Sequence, residues 1–170
     1  MPPRPGLAAR PGYDPVPSEA RPVRILLQRV ERAEVRVAGS VHERIGPGLV
    51  ALVGIAPDDD AAVATSMAAK SVDLRIFRDP AGLTNLSLAD VGGEVLAVSQ
   101  FTLLADTRRG RRPSFLGAAP PEYAAAVYER YSAAIEERGI RVARGVFGAE
   151  MQVELVNDGP MTIWLDSTAP

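Results

Sequence analysis

The chain has no cysteine and a single histidine, His42, among its 170 residues. These absences exclude thiolate nucleophiles, disulfides, iron–sulfur clusters and any zinc site that needs several cysteine or histidine ligands. No apolar run approaches the roughly 20 residues of a membrane-spanning helix, and no signal-peptide pattern opens the chain. We therefore expect a cytoplasmic protein that works with hydroxyls, amides, carboxylates, arginines or backbone groups, without a metal or cofactor.

Lysine is almost absent too, because Lys70 is the only one and arginine carries the remaining positive charge. The formal net charge is −2. A broad basic surface for DNA or for an anionic membrane is therefore not expected. Positive charge is concentrated at one place, the run Arg108-Arg109-Gly110-Arg111-Arg112.

Proline is unevenly distributed. Seven of the 15 prolines fall within residues 1–22, which show no hydrophobic periodicity. This composition predicts a disordered, proline-rich extension. An organelle transit peptide is the alternative, but these prolines would break the amphipathic helix that such peptides form.

Hydrophobic periodicity over residues 23–168 predicts a single α+β domain, rich in strand and with two main helices. One helix is expected from the acidic start at Asp58–Asp60 to about Phe77. The other is expected from Pro121 to about Arg138, with the inward residues Tyr123, Val127, Tyr131 and Ile135. Strands are predicted at 24–30, 34–37, 41–45 and 49–55, as one long strand over 93–105, and as a final pair at 151–156 and 161–165.

Ser99 and Gln100 interrupt the apolar run of the long predicted strand. Alternation along that strand would place Ser99 with Phe101 on one face and Gln100 with Thr102 on the other. A buried hydroxyl or amide without a partner costs about 1–3 kcal/mol, so these groups need partners or water. The pair either fixes the register of the sheet or belongs to a site.

The segment Asn157-Asp158-Gly159-Pro160 is the second unusual feature. Asp-Gly is common in hairpin turns, but the following proline removes an N–H group and restricts the glycine before it. Such a turn exposes carbonyl oxygens and few donors. The sequence does not fix the isomer of the Gly159–Pro160 bond, since only about 5–6% of X–Pro bonds are cis.

Six segments occur in an order typical of a known enzyme family. They are Arg24-Ile-Leu-Leu-Gln-Arg-Val30, Gly46-Pro-Gly-Leu49, Ser99-Gln-Phe-Thr-Leu103, Gly110-Arg-Arg-Pro-Ser-Phe115, Gly145-Val-Phe-Gly-Ala149 and Asn157-Asp-Gly-Pro-Met-Thr162. With them the chain closely resembles the D-aminoacyl-tRNA deacylases, proofreading hydrolases that free tRNA from D-amino acids, over residues 23 to about 167. The resemblance implies a barrel-like sheet and a homodimer that binds the aminoacylated 3′ end of tRNA at its interface.

The resemblance also assigns the candidate catalytic residues. They match a segment that lines the pocket for the terminal adenosine and the aminoacyl ester, and they are Ser99, Gln100, Phe101 and Thr102. Two further positions, near the adenine pocket, are matched by Phe147 and Met151.

Gly159 and Pro160 match a Gly-cis-Pro motif that the partner subunit supplies in this family. Its carbonyl oxygens would hold the amino group of a D-residue and leave no room for an L side chain. Glycyl esters, such as glycine mischarged on the alanine tRNA, are then expected substrates as well. Arg29 matches an arginine that supports this loop.

The implied reaction is hydrolysis of the ester to free D-amino acid and intact tRNA. Thr102 is one candidate nucleophile, but the sequence places no base near it and His42 lies in an early predicted hairpin. We favour a second route, in which the ribose 2′-hydroxyl helps to activate water. Backbone N–H groups around Phe101 and Thr102 would then stabilise the oxyanion.

The role of the basic run stays open at the level of sequence. Its arginines, Arg108, Arg109, Arg111 and Arg112, either contact acceptor-stem phosphates or form a solvated loop. The alternative function is that of a non-catalytic tRNA-binding protein of the same fold, although such a protein would not need both halves of a chiral pocket. Met161 departs from the family, which more often has Val or Phe at this position. Residues 1–22 are a second departure, because the family's chain usually starts near Val23. They are either a tail or the result of an upstream start assignment.

Overall fold

The computed structural model describes residues 22–168, so the predicted extension lies outside the described residues except for Pro22. Within that range the chain forms eight strands, two α-helices and a 3-10 turn at Phe101–Leu104. The strands are β1 (Arg24–Val37), β2 (Ser40–Ile45), β3 (Gly48–Gly54), β4 (Phe77–Arg78), β5 (Thr84–Leu86), β6 (Glu94–Ser99), β7 (Val142–Arg144) and β8 (Met151–Asp166), and the helices are α1 (Ala61–Asp73) and α2 (Pro121–Glu136).

The long strand β1 organises the main sheet. It pairs with β8 along one side, while its other side pairs first with β3 and then with β2. Strands β3, β6 and β7 continue the sheet in parallel. Because β1 serves two neighbours on one side, the sheet bends over on itself and becomes nearly barrel-like. The predicted single α+β domain with a barrel-like sheet and two main helices is confirmed.

Two apolar clusters form the core of the protein. The larger lies between the sheet and the helices, where Leu27 and Ala51 of the sheet meet Tyr131 and Ile135 of α2. The smaller lies inside the bent sheet and includes Val35, Val50 and Leu96. Alternation along β1 and β3 supplies both clusters, since successive side chains point to opposite faces.

The helix predictions are confirmed in part. Asp60 is the N-cap of α1, and its side chain accepts a hydrogen bond from the Val63 N–H at 2.8 Å. The expected extension to Phe77 is wrong, because Leu74 adopts an extended conformation and Phe77 pairs in β4. On α2, Tyr123 is exposed rather than inward, and its hydroxyl donates to the Asp59 carbonyl at 2.5 Å.

The long strand predicted over 93–105 is wrong beyond Ser99. Its neighbour β3 ends at Gly54, so the ladder has no partner there, and Gln100 N–H donates to the Val53 carbonyl at 2.7 Å before the chain turns. A Cβ at Gly54 would lie 3.0 Å from the Gln100 carbonyl oxygen. The alternating arrangement of Ser99 to Thr102 is therefore replaced by a 3-10 turn.

The final pair of strands separated by a turn is also wrong. Residues 151–166 form one strand, and both of its halves pair antiparallel with β1. Gln28 pairs with Thr162 and Val30 with Asn157, so residues 158–161 stand opposite the single residue Arg29. This segment, called the 158–161 bulge below, is a wide interruption of one strand and not the turn of a hairpin.

We predict that Gly48→Ala strongly destabilises the fold. A Cβ there would lie 1.9 Å from the Glu94 carbonyl oxygen, a backbone atom that no rotamer change can move. Overpacking of this kind is expected to lower the free energy of unfolding by about 3 kcal/mol in urea titrations. Gly46→Ala is the control, because its nearest neighbour atom is 4.0 Å away. Equal stability of the two variants would contradict this packing.

Candidate active site

The carboxyl ends of three parallel strands, β3, β6 and β7, lie at one edge of the sheet. Ser99 ends β6, and the loop 145–149 follows β7. The Gly145 N–H donates to the Ala97 carbonyl at 2.9 Å, which holds this loop beside Ser99. Open parallel sheets bind ligands at such edges, because loops diverge there and leave a crevice.

The 3-10 turn that follows β6 is closed by a hydrogen bond from Leu103 N–H to the Gln100 carbonyl, at 3.2 Å. Its first N–H groups, those of Phe101 and Thr102, have no acceptor inside the turn. The Phe101 side chain is 54% exposed and lies edge-on to Phe115, with ring centroids 5.1 Å apart. The turn therefore presents an aromatic surface and backbone donors at the sheet edge.

The Thr102 hydroxyl accepts a hydrogen bond from the Gln100 side-chain amide. Among residues 22–168, no carboxylate or imidazole forms a hydrogen bond with this hydroxyl. His42 is exposed on β2, which is separated from β6 by β1 and β3. Among the described residues, Thr102 therefore has no hydrogen-bonded base that would take its proton.

Phe147 and Met151 lie beside the same edge. Phe147 is partly buried against the main core, and Met151 packs against the smaller cluster. A Cβ at Gly145 would lie 2.8 Å from Met151 Sδ and 3.7 Å from Val98 Cγ1. Only glycine therefore lets Met151 pack this closely to the end of β6.

Two residues that the sequence analysis missed support this edge. The buried Tyr128 hydroxyl donates to the Ala97 carbonyl at 2.9 Å, and burial raises the pKa of Tyr128 to about 12, so the hydroxyl stays protonated. Arg144 pairs with Glu136 at 2.7 Å, and the hydrogen bonds between them lower the pKa of Glu136 and raise that of Arg144. The signal in the sequence that could have found Tyr128 is its position next to Val127 on the apolar face of α2.

The 158–161 bulge has an unusual backbone. The Gly159–Pro160 peptide bond is cis, and Gly159 has a φ of 120°. Both residues are exposed. The Asn157 side-chain amide donates to the carbonyls of Arg29 and Met161, at 2.9 and 3.0 Å, and so closes the base of the bulge.

Arg29 lies directly beneath the bulge and is only 2% exposed. Its Nε lies 2.8 Å from an Asp158 carboxylate oxygen, and its guanidinium also donates to the Ile76 carbonyl. A Cβ at Gly159 would lie 2.6 Å from Arg29 Nη2. A buried cation must be paired, so Arg29 fixes both the path of the bulge and the need for glycine.

One chain does not bring the bulge and the Ser99–Thr102 segment together. Ser99 is aligned through Val53 with Ile25, whereas the bulge faces Arg29, four residues further along β1. The strand order places β8 and β6 three strand spacings apart. The two parts are therefore separated by roughly 13 Å along the strands and roughly 14 Å across them.

The arginine run forms an exposed loop that the Asp106–Ser114 bridge closes. Arg108 folds back on Asp106, with its Nε and Nη2 at 2.9 and 2.7 Å from the carboxylate oxygens. The other three arginines of the run are Arg109, Arg111 and Arg112. They are exposed and form no ion pair with the described residues. The loop follows the 3-10 turn at the same edge of the sheet.

Two general features concern the whole of residues 22–168. No three histidine, cysteine, aspartate or glutamate side chains of this range are grouped so that they could hold a metal ion. Neither of its helices has the length and apolar character needed to cross a bilayer.

Solved structures share this architecture. One, named c-Myc DNA Unwinding Element Binding Protein, is 38% identical with a TM-score of 0.80 and covers 86% of this chain and 99% of that chain. Another, described as a probable eukaryotic D-amino acid tRNA deacylase, is 19% identical with a TM-score of 0.76 and covers 85% of this chain and 99% of that chain. The latter likeness concerns the fold alone.

Sequence relatives cover nearly all the described residues. The family model D-Tyr-tRNA(Tyr) deacylase matches residues 26–166. A D-aminoacyl-tRNA deacylase of Anaeromyxobacter dehalogenans is 58% identical over 145 residues, 85% of this chain and 97% of that protein. One of Bacillus velezensis is 50% identical over 145 residues, 85% of this chain and 99% of that protein. The resemblance seen in the sequence is confirmed, and the chain belongs to the D-aminoacyl-tRNA deacylase family.

Proposed function

We propose that this protein hydrolyses the ester of D-aminoacyl-tRNA, releasing the D-amino acid and intact tRNA, and that it does so in the cytoplasm, where charged tRNA is used. The observation that carries the proposal is the exposed 158–161 bulge over buried Arg29. A backbone segment of this kind can offer carbonyl oxygens to an amino group. The family membership of the chain supports the same activity.

Selection of the D-residue follows from this shape. The carbonyl oxygens of Gly159 and Pro160 accept hydrogen bonds from the substrate ammonium, and the rigid backbone leaves no space for an L side chain. Exclusion by backbone discriminates strongly, since the bulge cannot move without breaking the Arg29–Asp158 pair. Glycine has no side chain to exclude, so glycyl-tRNA is also a substrate. Met161, at the end of the bulge, is the position that departs from the family pattern.

The active unit is a homodimer in which the bulge of one chain faces the Ser99–Thr102 pocket of the other. The separation of the two parts within one chain supports this arrangement. So does β8, which among residues 22–168 pairs only with β1 and leaves its other edge free. Its Trp164 is 48% exposed. An unpaired sixteen-residue strand edge is a natural surface for a second copy.

The chemistry needs little from side chains because the ester is already activated. Water attacks the ester carbon, helped by the ribose 2′-hydroxyl, and the bond to the 3′ oxygen breaks as that oxygen takes a proton. The N–H groups of Phe101 and Thr102 stabilise the oxyanion that forms. The hydrogen bond from the Gln100 amide to the Thr102 hydroxyl supports this route over a threonine nucleophile.

The adenosine end of tRNA is held by Phe147 and Met151, beside the exposed ring of Phe101. Arg109, Arg111 and Arg112 contact backbone phosphates of the acceptor stem, whereas Arg108 is held by Asp106. Phosphate contacts carry no sequence information and weaken as salt rises, which suits an enzyme that meets many tRNAs. DNA and membranes are not proposed as partners.

The first test compares three substrates on the same tRNA. We expect hydrolysis of D-tyrosyl and glycyl esters, with the L-tyrosyl ester cleaved at least about 100-fold more slowly because its side chain meets the bulge. Asp158→Asn, which unpairs Arg29, should reduce this ratio. Glu154→Gln is the matched control. Glu154 lies on β8 as Asp158 does, but its carboxylate pairs, at 3.7 Å, with the exposed Arg32 of β1.

Two outcomes would count against this assignment. Equal cleavage of D- and L-tyrosyl esters would remove the selection by the bulge. Tight tRNA binding without release of any amino acid would favour a non-catalytic tRNA-binding protein of the same fold.

The second test separates the two chemical routes. We expect Thr102→Ala to keep near-normal hydrolysis of D-tyrosyl-tRNA, and a substrate ending in 2′-deoxyadenosine to be cleaved at least about 100-fold more slowly, because the hydroxyl that assists water is gone. Single-turnover rates would measure both. Loss of activity in Thr102→Ala with full cleavage of the deoxy substrate would establish the nucleophile instead.

The third test asks whether the site is shared between two chains. Gln100→Ala impairs the pocket, and Gly159→Ala impairs the bulge through its clash with Arg29. A purified heterodimer of the two variants has one site in which both parts are intact, so we expect about half of the wild-type activity while each variant homodimer stays inactive. An inactive heterodimer, or an active wild-type monomer, would show that each chain builds its own site.

A further inference from the structure

Tyr128 connects the two segments that line the proposed adenosine pocket. Its hydroxyl donates to the carbonyl of Ala97, two residues before Ser99 on β6. Its ring lies against Phe147, with centroids 6.2 Å apart and planes tilted by 49°. The residue itself is 3% exposed, so substrate cannot reach it.

The Ala97 carbonyl has two donors. The Gly145 N–H reaches it from the loop after β7, and the Tyr128 hydroxyl reaches it from α2, each at 2.9 Å. The helix, the end of β6 and the start of the 145–149 loop therefore meet at one oxygen. Loss of the hydroxyl would leave the Gly145 N–H as the remaining one of these two donors and would remove the bond that fixes the Tyr128 ring beside Phe147.

Arg144 strengthens the same connection. It directly precedes the loop and pairs with Glu129 and Glu136 of α2, at 3.2 and 2.7 Å. These two ion pairs hold the end of β7 against α2, and Glu129 is the residue next to Tyr128 on that helix. Tyr128 then links this helix to the Phe147 ring in the loop.

We propose that Tyr128 is a positioning residue that sets the Phe147 ring relative to Ser99 and so controls the affinity for the terminal adenosine. This inference rests on the proposed function. The ring contact is made equally with the bound substrate and with the transition state, so Tyr128 governs KM rather than kcat.

The test compares Tyr128→Phe with Tyr131→Phe. Both tyrosines lie buried on α2, but the Tyr131 hydroxyl donates to Ser71 Oγ at 2.9 Å, between the helices and away from the pocket. Loss of one hydrogen bond corresponds to a rise in KM of about three- to ten-fold for Tyr128→Phe, with kcat changed less than about two-fold. Tyr131→Phe should destabilise the fold to a similar extent and leave KM unchanged. Equal KM values for the two variants would overturn the proposal.

A second comparison asks whether Tyr128 acts through Phe147. In a Phe147→Ala background, Tyr128→Phe should raise KM no further, because the ring that it positions is absent. Multiplicative effects of the two substitutions would show that Tyr128 acts by another path and would overturn the proposal.

Binding of AMP separates this inference from the proposed function, because it needs no turnover. Calorimetry should show weaker AMP binding to Tyr128→Phe than to Tyr131→Phe and wild type. If Tyr128→Phe binds AMP as tightly as the wild type does, and the wild type hydrolyses D-tyrosyl-tRNA, the role of Tyr128 is refuted and the proposed function stands. Lack of hydrolysis by the wild-type protein would instead refute the proposed function.

Discussion

The ion pair between the buried Arg29 and the partly exposed Asp158 is the constraint on which the other features depend. A guanidinium that is almost fully buried needs a charged partner and acceptors, and here the partner comes from the very bulge that covers it. The pair fixes the bulge at one point of β1, and the Asn157 amide closes it from the side. Gly159 is then the residue that fits above Nη2. The result is a backbone surface that is exposed at Gly159 and Pro160 and held in place by side chains beneath it.

The position of Arg29 on β1 also decides how the bulge relates to the pocket. Strand β1 carries β8 on one side and β3 on the other, so the bulge and the Ser99–Thr102 segment project from opposite sides of β1 and from different heights along it. In the proposed arrangement, such a chain completes the site with a second copy. Strand register therefore supports the proposed dimer, as do the free edge of β8 and the exposed Trp164.

Several candidate site residues stand out in the sequence because their chemistry conflicts with their local surroundings. Ser99 and Gln100 interrupt an apolar run, and proline after Asp158-Gly159 does not suit an ordinary hairpin. The geometry around them was predicted less well. The end of β6 depends on where β3 stops, and the single strand β8 depends on β1 being long enough to pair with both of its halves. Tyr128 was missed because an inward tyrosine on an amphipathic helix looks like ordinary core.

The sequence by itself determined the fold class, the helix starts, the family and the absence of thiol chemistry, because these depend on residue type, periodicity and local motifs. Only the tertiary structure decided that Phe101–Leu104 turns, that Asn157–Pro160 belongs to one strand, and that Arg29 lies beneath Gly159. These features depend on contacts between residues more than 40 positions apart, such as Gln100 with Val53 and Asn157 with Arg29. Local propensity carries no information about such partners, since pairing register is fixed only when the whole sheet forms.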